Sequence, residues 1–154
     1  MKSSAKNFKV ASFFVVLMLV LSGCGSNSEA KLNTICDEAN SALSILTTDE
    51  IVPGVSANWS EIQSIYSDIS SKLQELSSQA SEIGESQLAR DFSSVGKNAG
   101  EIEAVASFIV TMGGGPAAMD NTIRSSWLDA VNKLTDNEAL RAPNDRTFIG
   151  CKKN

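Results

Sequence analysis

The sequence predicts an all-α fold, an antiparallel four-helix bundle with an extended C-terminal tail tied back by a disulfide. Three observations predict it. Apolar residues recur at spacings of three and four in four separate stretches, which is the period of a helix that buries one face. No alternation of apolar and polar residues runs long enough for a strand. Glycine and proline fall between the stretches, at Gly84 and at residues 113–116, and stay out of their apolar seams. At 154 residues the chain suits one domain with a buried core, not two.

The first element is an address. Lys2, Lys6 and Lys9 stand in a start without acids, and residues 10–21 then carry no charge. A basic start followed by a short apolar run is the layout of an export signal. Such a run spans about 18 Å as a helix, at about 1.5 Å per residue, against about 30 Å of hydrocarbon in a bilayer. A permanent transmembrane helix is the weaker reading.

Leu21-Ser22-Gly23-Cys24 resembles the lipobox of bacterial lipoproteins, a Leu, two small residues and a Cys. The resemblance covers the export segment only, and the alternative is an ordinary secretory signal with a chance cysteine. It implies diacylglycerol on the Cys24 thiol and cleavage between Gly23 and Cys24. Residues 1–23 are then signal peptide, 24–31 a lipidated tether and 32–154 the helical domain. Two acyl chains attach a protein stably where one holds it marginally. The implied location is the cell envelope, with the membrane contacted through the lipid on Cys24. Gly25 stands where an Asp would resemble an inner-membrane retention signal. That leaves the outer membrane, or the outer face of the plasma membrane in a one-membrane bacterium.

Cysteine and charge arithmetic follow. With Cys24 lipidated, Cys36 and Cys151 remain as an even pair in an exported domain, which reads as a disulfide. Two buried free thiols are the alternative. A Cys-x-x-Cys redox motif is absent. Removing residues 1–23 takes three lysines and no acid, so ten basic residues face eighteen acidic ones and the mature charge is −8. A pI near 4.7 gives no basic footprint for nucleic acid.

Residues 25–31 are small and polar and read as a flexible tether. The first helix is expected over 32–46, with Leu32, Ile35, Cys36, Ala39, Leu43 and Leu46 on one stripe. The second carries an unbroken seam of Trp59, Ile62, Tyr66, Ile69, Leu73, Leu76, Ala80 and Ile83. Asn58 and Glu61 read as a capping-box variant, and Gly84 as its stop. The third seam is Leu88, Phe92, Val95, Ala99, Ile102, Ala106 and Ile109, with Ser86 as N-cap. The fourth helix is expected to start at Pro116 and to bury Met119, Ile123, Trp127, Val131 and Leu134. Residues 142–145 read as a turn and 147–151 as an extended tail on the bundle. Up-down-up-down connectivity brings Cys151 to Cys36, at the end where the tether leaves. The opposite, distal end then holds residues 47–57 and 113–116.

Ile51, Val52 and Val55 are the candidate partner contact, as apolar residues on that distal loop. The alternative is that they fold down over the core. The three glycines before Pro116 lack the Lys-Ser/Thr of a phosphate loop and read as a turn. Glu61, Asp68, Glu75 and Glu82 recur every seven residues as an acidic row, about 10 Å apart and too far to share one metal ion. Gly96 and Gly100 either let two helices approach or mark a soft spot. Asn58-Trp59-Ser60 fits a glycosylation sequon, with Trp59 better read as a bundle anchor.

Catalysis finds little here. Histidine is absent, which removes its triads, bases and metal sites. Ser71 and Lys72 are adjacent on a helix and point apart. The expectation is no enzyme, no cofactor and no metal. The chain reads as a binding or scaffolding module for an envelope protein or component. The alternative is a small-ligand or lipid carrier with a cavity near Ala80, Ala99 and Ala106.

Overall fold

Among the described residues of the computed structural model four helices follow one another: α1 (Cys24–Ser44), α2 (Trp59–Glu82), α3 (Ser86–Thr111) and α4 (Asn121–Thr135), and a 3-10 turn at Ile149–Cys151 ends the described chain. The residues described are 24–46, 57–114, 120–141 and 147–151. Neighbouring helices run antiparallel, as cross-links between them show. Lys72 of α2 meets Glu38 of α1 at 2.7 Å. Gln63 donates to Glu103 at 3.3 Å, while Ser77, further along α2, donates to the Ala89 carbonyl near the start of α3 at 2.7 Å. Asn98 of α3 donates to the Lys133 carbonyl of α4 at 2.7 Å.

The seams expected from spacing are the core. Every seam residue of α2 from Trp59 to Ala80 is buried, and Ile83 is partly buried against the same cluster. All seven seam residues of α3 are buried, joined by Ala89 and Gly96. Asn58 caps α2 by accepting from the Glu61 amide at 3.3 Å, and its own amide donates to the Glu61 carboxylate at 3.2 Å. Gly84, at φ +88°, takes the left-handed turn that ends α2. Gly113 does the same after α3 at φ +93°.

Three boundaries differ from expectation. Residues 25–31 lie within α1 and are not a loose tether. Glu29, Ala30 and Lys31 are good helix formers, and a helix already nucleated on its packed part extends at little cost per residue. Residues 27–31 are all exposed, and of them Ala30 and Lys31 line a shallow cleft with Gln79, Glu82 and Ile83 at the end of α2. The N-cap of α3 is Glu85, whose side chain makes no capping bond, and Ser86 is already helical. The N-cap of α4 is Asp120, which accepts from Thr122 and Ile123 at 2.9 Å. A carboxylate that satisfies two orphan amides is a stronger start than a proline that satisfies none. Pro116 and Met119 lie outside the described residues.

α4 is short. Its 15 residues span about 22 Å, against about 36–39 Å for the 24 and 26 residues of α2 and α3. The fourth column of the bundle is therefore half helix and half tail. Leu140 and Phe148 pair as an antiparallel bridge, and Phe148 is 1 % exposed. Its ring meets Phe92 edge-on at 4.6 Å. Cys36 and Cys151 are disulfide-bonded across 115 residues of sequence. The tail is extended only to Phe148 and then coils into the 3-10 turn. Ile35, next to Cys36, lines a cleft with Ile83, and Gly150, next to Cys151, lies against Leu88, so the disulfide belongs to the end of the bundle that carries the Gly84 turn.

Candidate functional site

No helix among the described residues is long and apolar enough to cross a membrane. Residues 1–23, including Leu21, Ser22 and Gly23, lie outside the described part, and Cys24 is the first residue of α1. Ile51, Val52 and Val55 also lie outside it. The ends that carry their loop are described, and so is what surrounds them.

Among the described residues five large hydrophobic side chains are exposed: Ile45, Phe108, Met112, Leu128 and Ile149. Four of them share the half of the bundle away from Cys24. Ile45 follows the last residue of α1, where the chain leaves for the 47–56 loop. Phe108 and Met112 stand four residues apart, one in the last turn of α3 and one at its C-cap, so they share a face. They are 50 % and 59 % exposed. Leu128 lies on α4, which covers only this half. The seam pattern held the signal. Each of these four is a large apolar residue that no seam uses.

Beneath this end lies an aromatic cluster. Trp59 and Trp127 meet edge-on at 5.1 Å, and Tyr66 meets Trp127 at 6.2 Å. All three are buried in the same half of the bundle.

The other half holds an open cleft of about 440 Å³ between α1 and the tail. The disulfide and Phe148 line its floor, and Asn33, Asp37, Asn40 and Arg141 stand around it. These groups donate and accept hydrogen bonds but include no nucleophile with a base beside it.

The remaining candidates resolve individually. Lys72 bridges Glu38 and Glu75, so Ser71-Lys72 is no dyad. Those carboxylates raise the Lys72 pKa above its ordinary value, Glu38 most, while partial desolvation opposes the shift. Lys133 is raised in the same way by Asp129 and then Glu101. Glu61, Asp68, Glu75 and Glu82 are all exposed. No group of three His, Cys, Asp or Glu among the described residues could hold a metal ion. Asn58 of the sequon is the α2 cap. Gly96 is a close-approach residue. A Cβ there would lie 3.1 Å from Leu73 Cβ and 3.3 Å from the Ser70 carbonyl oxygen. Ala80, Ala99 and Ala106 are wholly buried, and the small residues of this seam draw α2 and α3 together.

Comparison with family models, with curated proteins and with solved structures finds no match for the chain.

Proposed function

We propose that this chain is a lipid-anchored envelope lipoprotein whose bundle presents a protein-binding surface at the end away from Cys24. The carrying observation is that Ile45, Phe108, Met112 and Leu128, each close to half exposed or more, all lie in that half, with Phe108 and Met112 on one face of α3. An exposed apolar cluster on a well-packed domain marks an interaction site. Lipid on Cys24 turns this end away from the membrane and toward a partner. The acidic body, which an anionic lipid surface repels, fits the same orientation.

Two measurements test the two parts. Intact mass of the membrane-extracted protein should show a chain that begins at Cys24 and carries the added diacylglyceryl group. An unmodified mature mass refutes the anchor. A photoreactive residue at Met112, with Ser71 on the outer face of α2 as control, should give one discrete protein adduct in the native envelope. Equal labelling from both positions, or none from Met112, refutes the surface.

A further inference from the structure

The lower half of the fourth column is filled by residues 147–151 paired with Ala139, Leu140 and Arg141, and of those five residues Phe148 alone is fully buried. Phe148 is buried, Thr147 and Cys151 are half-buried, and Ile149 and Gly150 are exposed. The Phe148 ring covers Phe92, and its amide donates to Asn40 Oδ1 at 3.0 Å. Gly150 sits over Leu88, where an added Cβ would come within 3.1 Å of that side chain. The Ile149 amide donates to the Ala139 carbonyl, and the Cys151 amide to that of Phe148, so both bonds stay within the C-terminal part of the chain. The covalent tie to the helices is the disulfide to Cys36. That disulfide lies on the floor of a cleft open to solvent, with Cys151 the more exposed partner.

We infer that Cys36–Cys151 is a redox-operated latch. A dithiol reductant opens it, residues 147–151 leave the bundle, and the slot over Leu88 and Phe92 is uncovered while α2 and α3 stay paired. One thiolate of the reductant attacks Cys151 Sγ and breaks the S–S bond, and Cys36 leaves as a thiolate that takes a proton. The second thiol of the reductant attacks the mixed disulfide and releases Cys151 as a thiol. The reductant ends as its own disulfide, and two electrons and two protons pass to the protein.

Entropy drives the release. Holding five residues in one backbone conformation costs conformational freedom at each of them, while one phenylalanine supplies the apolar burial. The cross-link has already removed much of that freedom from the competing states, and cutting it restores the cost. The α2–α3 pair does not depend on the tail. It has its own seam along the full length of both helices, and the close contact at Gly96 is made with Leu73, Gln74 and Ser70 of α2, not with the tail.

Hydrogen exchange read by mass spectrometry tests the latch, on the full mature chain before and after reduction with dithiothreitol. A Cys36→Ser/Cys151→Ser double variant serves as a second route to the open state. Protection over residues 147–151 should fall by about a hundredfold or more, and the amides around Leu88 and Phe92 should loosen, with the centre of α2 unchanged. Phe148→Ala with the disulfide intact should loosen the Phe92 region while the tail stays tied. Unchanged protection of the tail in the reduced chain overturns the inference. So does loss of protection throughout α2 and α3, because the disulfide would then be a global staple and not a local latch.

Discussion

Replacing Gly96 and, separately, Gly100 with alanine sets two forces against each other on one helix. Both positions lie inside α3, and in each the change from glycine to alanine favours the helix by about 1 kcal/mol. What the new methyl group meets differs. At Gly96 it lies 3.1 Å from Leu73 Cβ, 3.2 Å from Gln74 Nε2 and 3.3 Å from the Ser70 carbonyl oxygen. Carbon atoms rest comfortably at about 3.5–4.0 Å. Leu73 is fully buried, and the Ser70 oxygen belongs to the backbone of α2, so neither can swing aside. The helices must part by a few tenths of an ångström, and overpacking of this kind costs about 1–3 kcal/mol. Gly96→Ala should therefore be destabilising by up to about 2 kcal/mol. At Gly100 the near neighbour is the Ser70 hydroxyl at 3.2 Å, which rotates, and the next is Ser70 Cβ at 3.9 Å. Gly100→Ala should stabilise by about 0.5–1 kcal/mol. Urea unfolding of residues 24–154 with the disulfide intact reads both, provided the slope is the same for the two variants. A midpoint for Gly96→Ala equal to or above that of Gly100→Ala refutes the close approach of α2 and α3.

Other perturbations test other joints. Asp120→Ala removes the acceptor for two amides and should cost about 0.5–2 kcal/mol in the same urea assay, whereas Asp120→Asn keeps a side-chain oxygen there and should keep most of the stability. Trp127→Ala should cost about 3–5 kcal/mol. It should also erase the near-ultraviolet dichroism of the edge-on pair, since Trp59 and Trp127 are the only tryptophans. Lys72 has a pKa raised above 10.5 in the folded chain by Glu38 and Glu75. Its contribution is thus complete below that unfolded value and is lost as pH climbs through the folded one. Stability should fall on the alkaline side, and Lys72→Met should make that limb shallower by lowering stability at neutral pH while leaving the strongly alkaline end unchanged, as thermal melts across pH will show.

The helices were legible because their cores repeat. Seams such as Leu88, Phe92 and Val95 name both the element and its buried face, and spacing alone carries that information. Starts and stops were legible where the chemistry is local, as at Asn58 with Glu61 and at Gly84. Asp120 was overshadowed by Pro116 because both are good starting residues, and only the described amides of Thr122 and Ile123 separate them. The extent of α1 was hidden for a different reason. Residues 27–31 show no apolar face, so nothing in a periodicity argument marks them as helix. The pairing of Cys36 with Cys151 followed from the count of cysteines. That a tail, not the end of α4, brings Cys151 there was legible as well, because the apolar stripe of α4 runs out at Leu134 and the residues beyond it leave the helical pattern.

The candidate surface was harder to see, since binding patches carry no motif, yet a residue-level signal existed. A helix such as α3 needs one apolar face, and its seam supplies it without Phe108 or Met112. Residues in excess of what folding requires cost solubility and gain the fold nothing. The double variant Phe108→Ser/Met112→Ser should accordingly change unfolding free energy by no more than about 0.5 kcal/mol, the ordinary range for surface positions. It should also abolish adduct formation from a photoreactive residue placed at Ile45 or Leu128 if these belong to one partner footprint. A stability loss of about 2 kcal/mol or more would mean the two side chains are part of the core's cover, and the argument from excess would fail with it. Retained stability and retained adducts together would instead confine the partner to Ile45 and Leu128, on the side of the bundle where α1 and α4 carry them.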